Sequence, residues 1–195
     1  MQPVAALESA WGQGQAEFGE NYLQEALPKL AAFADRPVVW HFIGGLQSNK
    51  TREVAERFQW LHTLDRESIA RRLSDQRPAS LPPLQLCLQV NVSEESSKGG
   101  VMPERVAALA RAVEVLPRLK LRGLMAIPAP ARDIESQRGP FRVLRELLDE
   151  LKRQGHAVDT LSMGMSEDLE AAIMEGATVV RVGSAIFGER RSKDA

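Results

Sequence analysis

Short apolar runs of strand character alternate with amphipathic helical stretches along the whole chain. That alternation limits the possible folds more than any other feature of the sequence. Strand-like runs fall at 18–22 (FGENY), 38–44 (VVWHFIG), 60–64, 84–92, 121–127, 161–164 and 179–187. Helical patterns at 3–17, 23–34 and 48–58 separate the first of these, and Pro28 predicts a kink or break in the second helix. Asp65 is placed to cap a helix carrying Ile69, Ala70 and Leu73. Pro103 opens another, with Val106, Leu109, Ala110 and Val113 as its stripe. The stretch 128–140 (PAPARDIESQRGP) reads as a long polar loop leading to a helix with Phe141, Leu144, Leu147, Leu148 and Leu151 on one face.

Repeated β–α units imply a parallel sheet joined by right-handed crossovers. The strands are short and mostly apolar, as expected where both faces are covered. A (β/α)₈ TIM barrel and an open doubly wound sheet both satisfy this pattern. No G-x-G-x-x-G follows the first strand, which weakens the dinucleotide fold. The count of seven strands is one short of a closed barrel.

Composition narrows the class of partner. The 195 residues suit one α/β domain spanning 1–195, and hydrophobic content is 44%. A formal net charge of −1 gives no basic excess for nucleic acid. Cys87, alone in the run LQLCLQVNV, reads as a small buried hydrophobe. Neither a signal peptide nor an apolar run of membrane-spanning length is visible, so no membrane partner and a cytoplasmic location are expected. His41, His62 and His156 are scattered without ligand spacing, so no metal site is expected, and His41 reads as a satisfied core histidine.

The segment 161–188 carries the chemistry. It reads as strand, turn, helix, strand, turn, with Gly164, Met165 and Ser166 in the first turn and Gly183 and Ser184 in the second. Two neighbouring strand ends rich in exposed N–H groups and hydroxyls suit a phosphate, and such paired turns after the last strands favour the barrel. Ser166 is the expected N-cap, Leu169, Ala172 and Ile173 the buried face, and Gly176 the C′ residue of the intervening helix. Glu167 and Asp168 suit the helix dipole but would repel a phosphate set at that same helix end. Arg181, in the apolar run VVRVG, needs a partner: either a carboxylate such as Glu20 or a ligand. Asn21 ends the FGENY strand, where it suits a ligand or a helix cap. Lys50 reads as a solvated charge, and Lys98 as a loop lysine near the rim.

FGENY (18–22), HFIG (41–44) with LQSNK (46–50), NVSEESSKGG (91–100), GLMAIPAP (123–130), LSMGMSEDLEAAI (161–173) and VRVGSAIFGER (180–190) together resemble the pyridoxal-phosphate homeostasis proteins. The resemblance runs in one register from about residue 2 to 190, and Gly45 departs from the Pro usual in bacterial relatives. It implies a (β/α)₈ barrel of the alanine racemase N-terminal type that binds pyridoxal 5′-phosphate. It also implies a role in cofactor homeostasis without catalytic turnover, with pyridoxal-phosphate-dependent apo-enzymes as partners. Carried over by motif, Ser166, Gly183 and Ser184 hold the phosphate, Arg181 faces the pyridine nitrogen and Asn21 lies close to the cofactor. In the family a strand ending in Ser-Lys, whose lysine forms the Schiff base, precedes the segment matching Met1-Gln2-Pro3. The resemblance thus places the first strand and that lysine outside this chain, which accounts for seven strands. It predicts a gap between the FGENY and VRVGS strands, with lowered stability or patching by association. A pyridoxal-phosphate-dependent racemase-like enzyme is the competing reading. It calls for the lysine and a second acid/base, neither visible here.

Overall fold

The computed structural model describes residues 2–93 and 99–188, so Lys98 and the last two residues of VRVGSAIFGER lie outside the described residues. Six strands form one sheet: β1 (Glu17–Glu20), β2 (Val39–Phe42), β3 (Trp60–Leu64), β4 (Leu84–Gln89), β5 (Leu119–Met125) and β6 (Thr160–Ser162). Every pair is parallel and the spatial order is that of the sequence, 1-2-3-4-5-6. A doubly wound sheet reverses its order at a switch point, whereas sequential order is what a barrel wall produces. The sheet is an open barrel wall with β1 at one end.

The connecting helices are α1 (Val4–Gly12), α2 (Leu23–Ala32), α3 (Thr51–Arg57), α4 (Glu67–Gln76), α5 (Val106–Glu114), α6 (Ile134–Arg153), α7 (Leu169–Met174) and α8 (Ser184–Phe187). The main core lies between helices and sheet. Leu61, Leu86, Leu88 and Leu124 meet Val54, Phe58, Ile69, Leu73, Phe141 and Leu144 there, all buried. Each such side chain contributes roughly 1.5–3 kcal/mol when removed from water. Phe18, Phe33 and Trp40 cluster at 5.7–6.0 Å between centroids and anchor β1 and β2 to α2.

Five local readings are corrected. The stretch 128–140 is not all loop, because α6 begins at Ile134. The Asp133 carboxylate accepts from the Ser136 N–H at 2.9 Å and from its hydroxyl at 2.7 Å, a cap strong enough to start the helix ahead of Pro140. Pro28 does not divide α2; it stands inside the helix at the cost of one backbone hydrogen bond, and the buried Leu23, Ala26 and Lys29 hold the helix to the core. Asp65 does not cap α4. Its carboxylate pairs with Arg66, which is itself the N-cap residue. Ser166 does not cap α7, which starts later, behind Asp168, and Ile173 is 57% exposed rather than buried. The seventh strand is reduced to one parallel bridge, Val179 to Ser162, plus an Arg181 N–H donating to the Gly164 carbonyl at 2.9 Å. With β6 on one side and no strand on the other among the described residues, the ladder lapses and the chain turns at Gly183 into α8.

Candidate functional site

A cavity of about 1150 Å³ opens between β1 and the segment 179–188, in the sector where a closed barrel would continue. Asn21, Ser166, Arg181, Gly183 and Ser184 all lie on its wall, with Glu17, His41 and His62. Residues far apart in sequence reach one space because each follows the end of a strand or sits on an inward strand position.

Asn21 is placed by a backbone crossing. A Cβ on Gly44 would stand 1.9 Å from the Asn21 carbonyl oxygen, so only glycine lets the turn after β2 pass there. The Thr63 hydroxyl donates to the Gly44 carbonyl at 2.6 Å and fixes that turn. On the other side, Gly164 (φ +93°) turns the chain out of β6. The Asp168 carboxylate then folds back to accept from the Met165 N–H at 2.6 Å. The Asp168 carboxylate thus stands beside the start of α7 as a negative charge, without bonding the N–H groups of its first turn. The Ser166 hydroxyl reaches instead to the second turn, accepting from the Ala185 N–H at 3.3 Å, which leaves its own proton for a ligand.

Arg181 does not pair with Glu20. The Glu20 carboxylate is bound by the Lys29 ammonium at 2.6 Å; burial raises its pKa, against the hydrogen bond and charge of Lys29 that lower it. Arg181 donates from Nη1 to Ser162 Oγ at 2.8 Å and from Nη2 to the Ala126 carbonyl at 3.0 Å. Both acceptors are neutral. Burial draws the guanidinium down to about 10, against the charge of Asp168, so it stays cationic at neutral pH.

Two groups on this wall were not singled out as site residues from the sequence. His62 Nδ1 lies 2.7 Å from Ser162 Oγ, and His62 Nε2 lies 2.8 Å from His41 Nδ1. Burial lowers His62 to about 3, with the charges of His41 and Arg181 adding to the effect, and lowers His41 to about 4, so both rings are neutral. Trp60 stacks on His41 at 5.5 Å. The usable signal was strand parity: His41 and His62 each sit on the inward face of adjacent strands, as does Ser162 on β6. Of the lysines, Lys29 reaches the cavity wall but is held by Glu20, and Lys50 does not line it. Among the described residues no three His, Cys, Asp or Glu side chains gather as metal ligands, and no helix is long and apolar enough to cross a membrane.

An open parallel α/β barrel wall with a cationic and hydroxyl-bearing pocket after its last strand defines a domain of the alanine racemase N-terminal class, and the family model for "Alanine racemase, N-terminal domain" matches residues 2–191. Within that class the chain belongs to the pyridoxal phosphate homeostasis protein family. It is 61% identical over 188 residues to the Pyridoxal phosphate homeostasis protein of Pseudomonas aeruginosa, covering 96% of this chain and 80% of that protein. It is 52% identical over 191 residues to the protein of the same name from Escherichia coli K12, covering 96% and 82%. Among solved structures, PipY of Synechococcus elongatus, determined with pyridoxal phosphate bound, superposes with a TM-score of 0.87 at 36% identity, covering 96% of this chain and 88% of PipY. Alanine racemase of Clostridium difficile shares the fold, with a TM-score of 0.73 at 14% identity over 98% of this chain and 52% of that enzyme.

Proposed function

We propose that this chain binds pyridoxal 5′-phosphate in the cavity beside β1 and serves cofactor homeostasis in the cytoplasm, handing the cofactor to apo-enzymes rather than turning over amino acids. The observation that carries the reading is Arg181: a half-buried guanidinium on the cavity wall whose hydrogen-bond partners are both neutral, so its charge is left for a ligand. The residues present fit the cofactor. The Ser166 hydroxyl and the N–H groups at Gly183 and Ser184 form the phosphate cradle, away from the α7 end that Asp168 occupies. Arg181 supplies only donors, so it suits a ring nitrogen without a proton, and Asn21 closes the opposite wall.

Bound pyridoxal phosphate brings an aldehyde and an electron-withdrawing ring. A guanidinium at the ring nitrogen weakens the ring as an electron sink, which favours storage over amino-acid chemistry. The test is an equilibrium titration with pyridoxal phosphate beside an alanine racemization assay. Saturable binding without racemization is expected. Robust racemization would overturn the homeostasis reading, and absence of binding would overturn the site.

A further inference from the structure

His41, His62, Ser162 and Arg181 form one continuous line of hydrogen bonds through the barrel interior, from β2 through β3 and β6 to the segment after α7. Its ends fix the direction of every bond. At one end Arg181 can only donate, so Ser162 Oγ accepts at 2.8 Å. Ser162 must then place its own proton, and the acceptor in reach is His62 Nδ1 at 2.7 Å. That leaves the His62 proton on Nε2, which donates to His41 Nδ1 at 2.8 Å and leaves the His41 proton on Nε2. At the other end His41 Nε2 lies 3.3 Å from Glu17 Oε2, close in distance although not in hydrogen-bond geometry. The reverse polarity would set a bare ring nitrogen against that carboxylate and leave the Ser162 proton without an acceptor. Both ends select the same state independently.

We propose that His41, His62 and Ser162 are positioning residues that form a one-way chain of hydrogen bonds, a relay, between Arg181 and His41, fixing the guanidinium so that its remaining N–H groups face the cavity. The effect on ligand binding rests on the pyridoxal phosphate reading above; the relay itself does not. A guanidinium tethered through one serine and one carbonyl swings if the serine turns, and Ser162 is kept from turning by a histidine that is itself fixed by a second histidine.

Long-range ¹H–¹⁵N correlation of the imidazole rings in the ¹⁵N-labelled chain at pH 7 tests the relay without ligand. Both His41 and His62 are expected with the proton on Nε2 alone; a proton on Nδ1 of either ring, or averaged tautomers, overturns the relay. In Ser162→Ala the His62 tautomers are expected to mix and the Arg181 guanidinium resonances to broaden or merge. Unchanged Arg181 resonances in a folded Ser162→Ala chain also overturn it. If that variant does not fold, the parent tautomers decide. Affinity for pyridoxal phosphate is expected to fall about tenfold in Ser162→Ala, the size of losing one hydrogen bond to a charged group. If the parent itself does not bind pyridoxal phosphate while the tautomers and Arg181 resonances behave as stated, the functional reading fails and the relay stands.

Discussion

Glu175 shows how strongly a single residue can tie elements together. Its side chain is fully buried at the end of α7 and meets three arginines of α6: Arg138 at 2.8 Å, Arg142 at 3.2 Å and Arg145 at 2.9 Å. Burial raises its pKa, but the Arg138 hydrogen bond and the charges of Arg145 and Arg142 outweigh it and hold the carboxyl below the usual range. Glu175→Ala leaves three guanidinium groups without their shared anion. Because the arginines keep solvent and two of them keep Glu135, it is expected to lower unfolding free energy by only about 1 kcal/mol in urea titration. The interior histidines act on acid stability in the same direction. Their folded values, about 4 and about 3, lie below the ordinary value, so the unfolded chain takes up protons that the folded chain does not. Stability is therefore complete above about pH 6.5 and declines as pH falls toward 4, by up to about 1.4 kcal/mol per pH unit for each ring. Denaturation measured at pH 7, 5.5 and 4.5 checks this, and a flat profile in that range contradicts the burial of the two rings. The contribution of Glu175 is lost at lower pH still, as pH falls through the ordinary carboxylate value toward its own depressed one.

At the scale of elements, periodicity placed the long elements well, although Ile173 fell on the exposed side of α7, and punctuation placed some ends and missed others. The run 60–64 is β3 to the residue, and Phe141, Leu144, Leu148 and Leu151 are the buried face of α6 as their spacing required. Pro28 suggested a break and 128–140 a loop, yet α2, held by its apolar face, runs through Pro28, and the Asp133 cap starts α6 ahead of Pro140. Ser166 and Asp65 looked like caps because caps are recognised by residue type, while the actual start of a helix depends on which group folds back. In α7 no side chain bonds the first turn, and Asp168, at the cap position, accepts instead from the Met165 N–H ahead of the helix. Close backbone approach leaves no sequence pattern of its own, and Gly44 illustrates the consequence. Gly44→Ala would force a Cβ onto the Asn21 carbonyl. It is expected to cost about 1–3 kcal/mol in stability and to displace Asn21, weakening pyridoxal phosphate binding more than a surface substitution of β2 does. Unchanged stability and affinity would contradict the backbone crossing.

For the whole molecule, the alternation of short strands and helices already contained a parallel sheet with helical crossovers, while the choice of a barrel over a doubly wound sheet rested on the paired turns and the family motifs, and the sequential order is seen in the structure. The alternation did not contain the relay. His41 and His62 stand 21 residues apart and His62 and Ser162 stand 100 apart, so their meeting is a property of sheet curvature and not of local pattern. The turns at 164–166 and 183–184 were legible as a pair, and both line the one cavity that Arg181 and Asn21 also line. The open sector has a physical cost. Tyr22, Val180 and Ile186 are exposed along it, and β1 has β2 as its strand partner on one side only among the described residues. Such edges favour association. Sedimentation velocity is expected to show concentration-dependent association, reduced in Ile186→Lys; a monomer at all concentrations would contradict it.

The proposed site holds pyridoxal phosphate between Arg181 and the Ser166–Gly183–Ser184 cradle. The most direct measurement is a crystal structure of this chain soaked with pyridoxal phosphate. The phosphate is expected against the Ser166 hydroxyl and the Gly183 and Ser184 N–H groups, with the ring nitrogen at the Arg181 guanidinium. A phosphate bound instead at the Arg138–Arg142–Arg145 cluster, or a ring turned with its nitrogen away from Arg181, would contradict it.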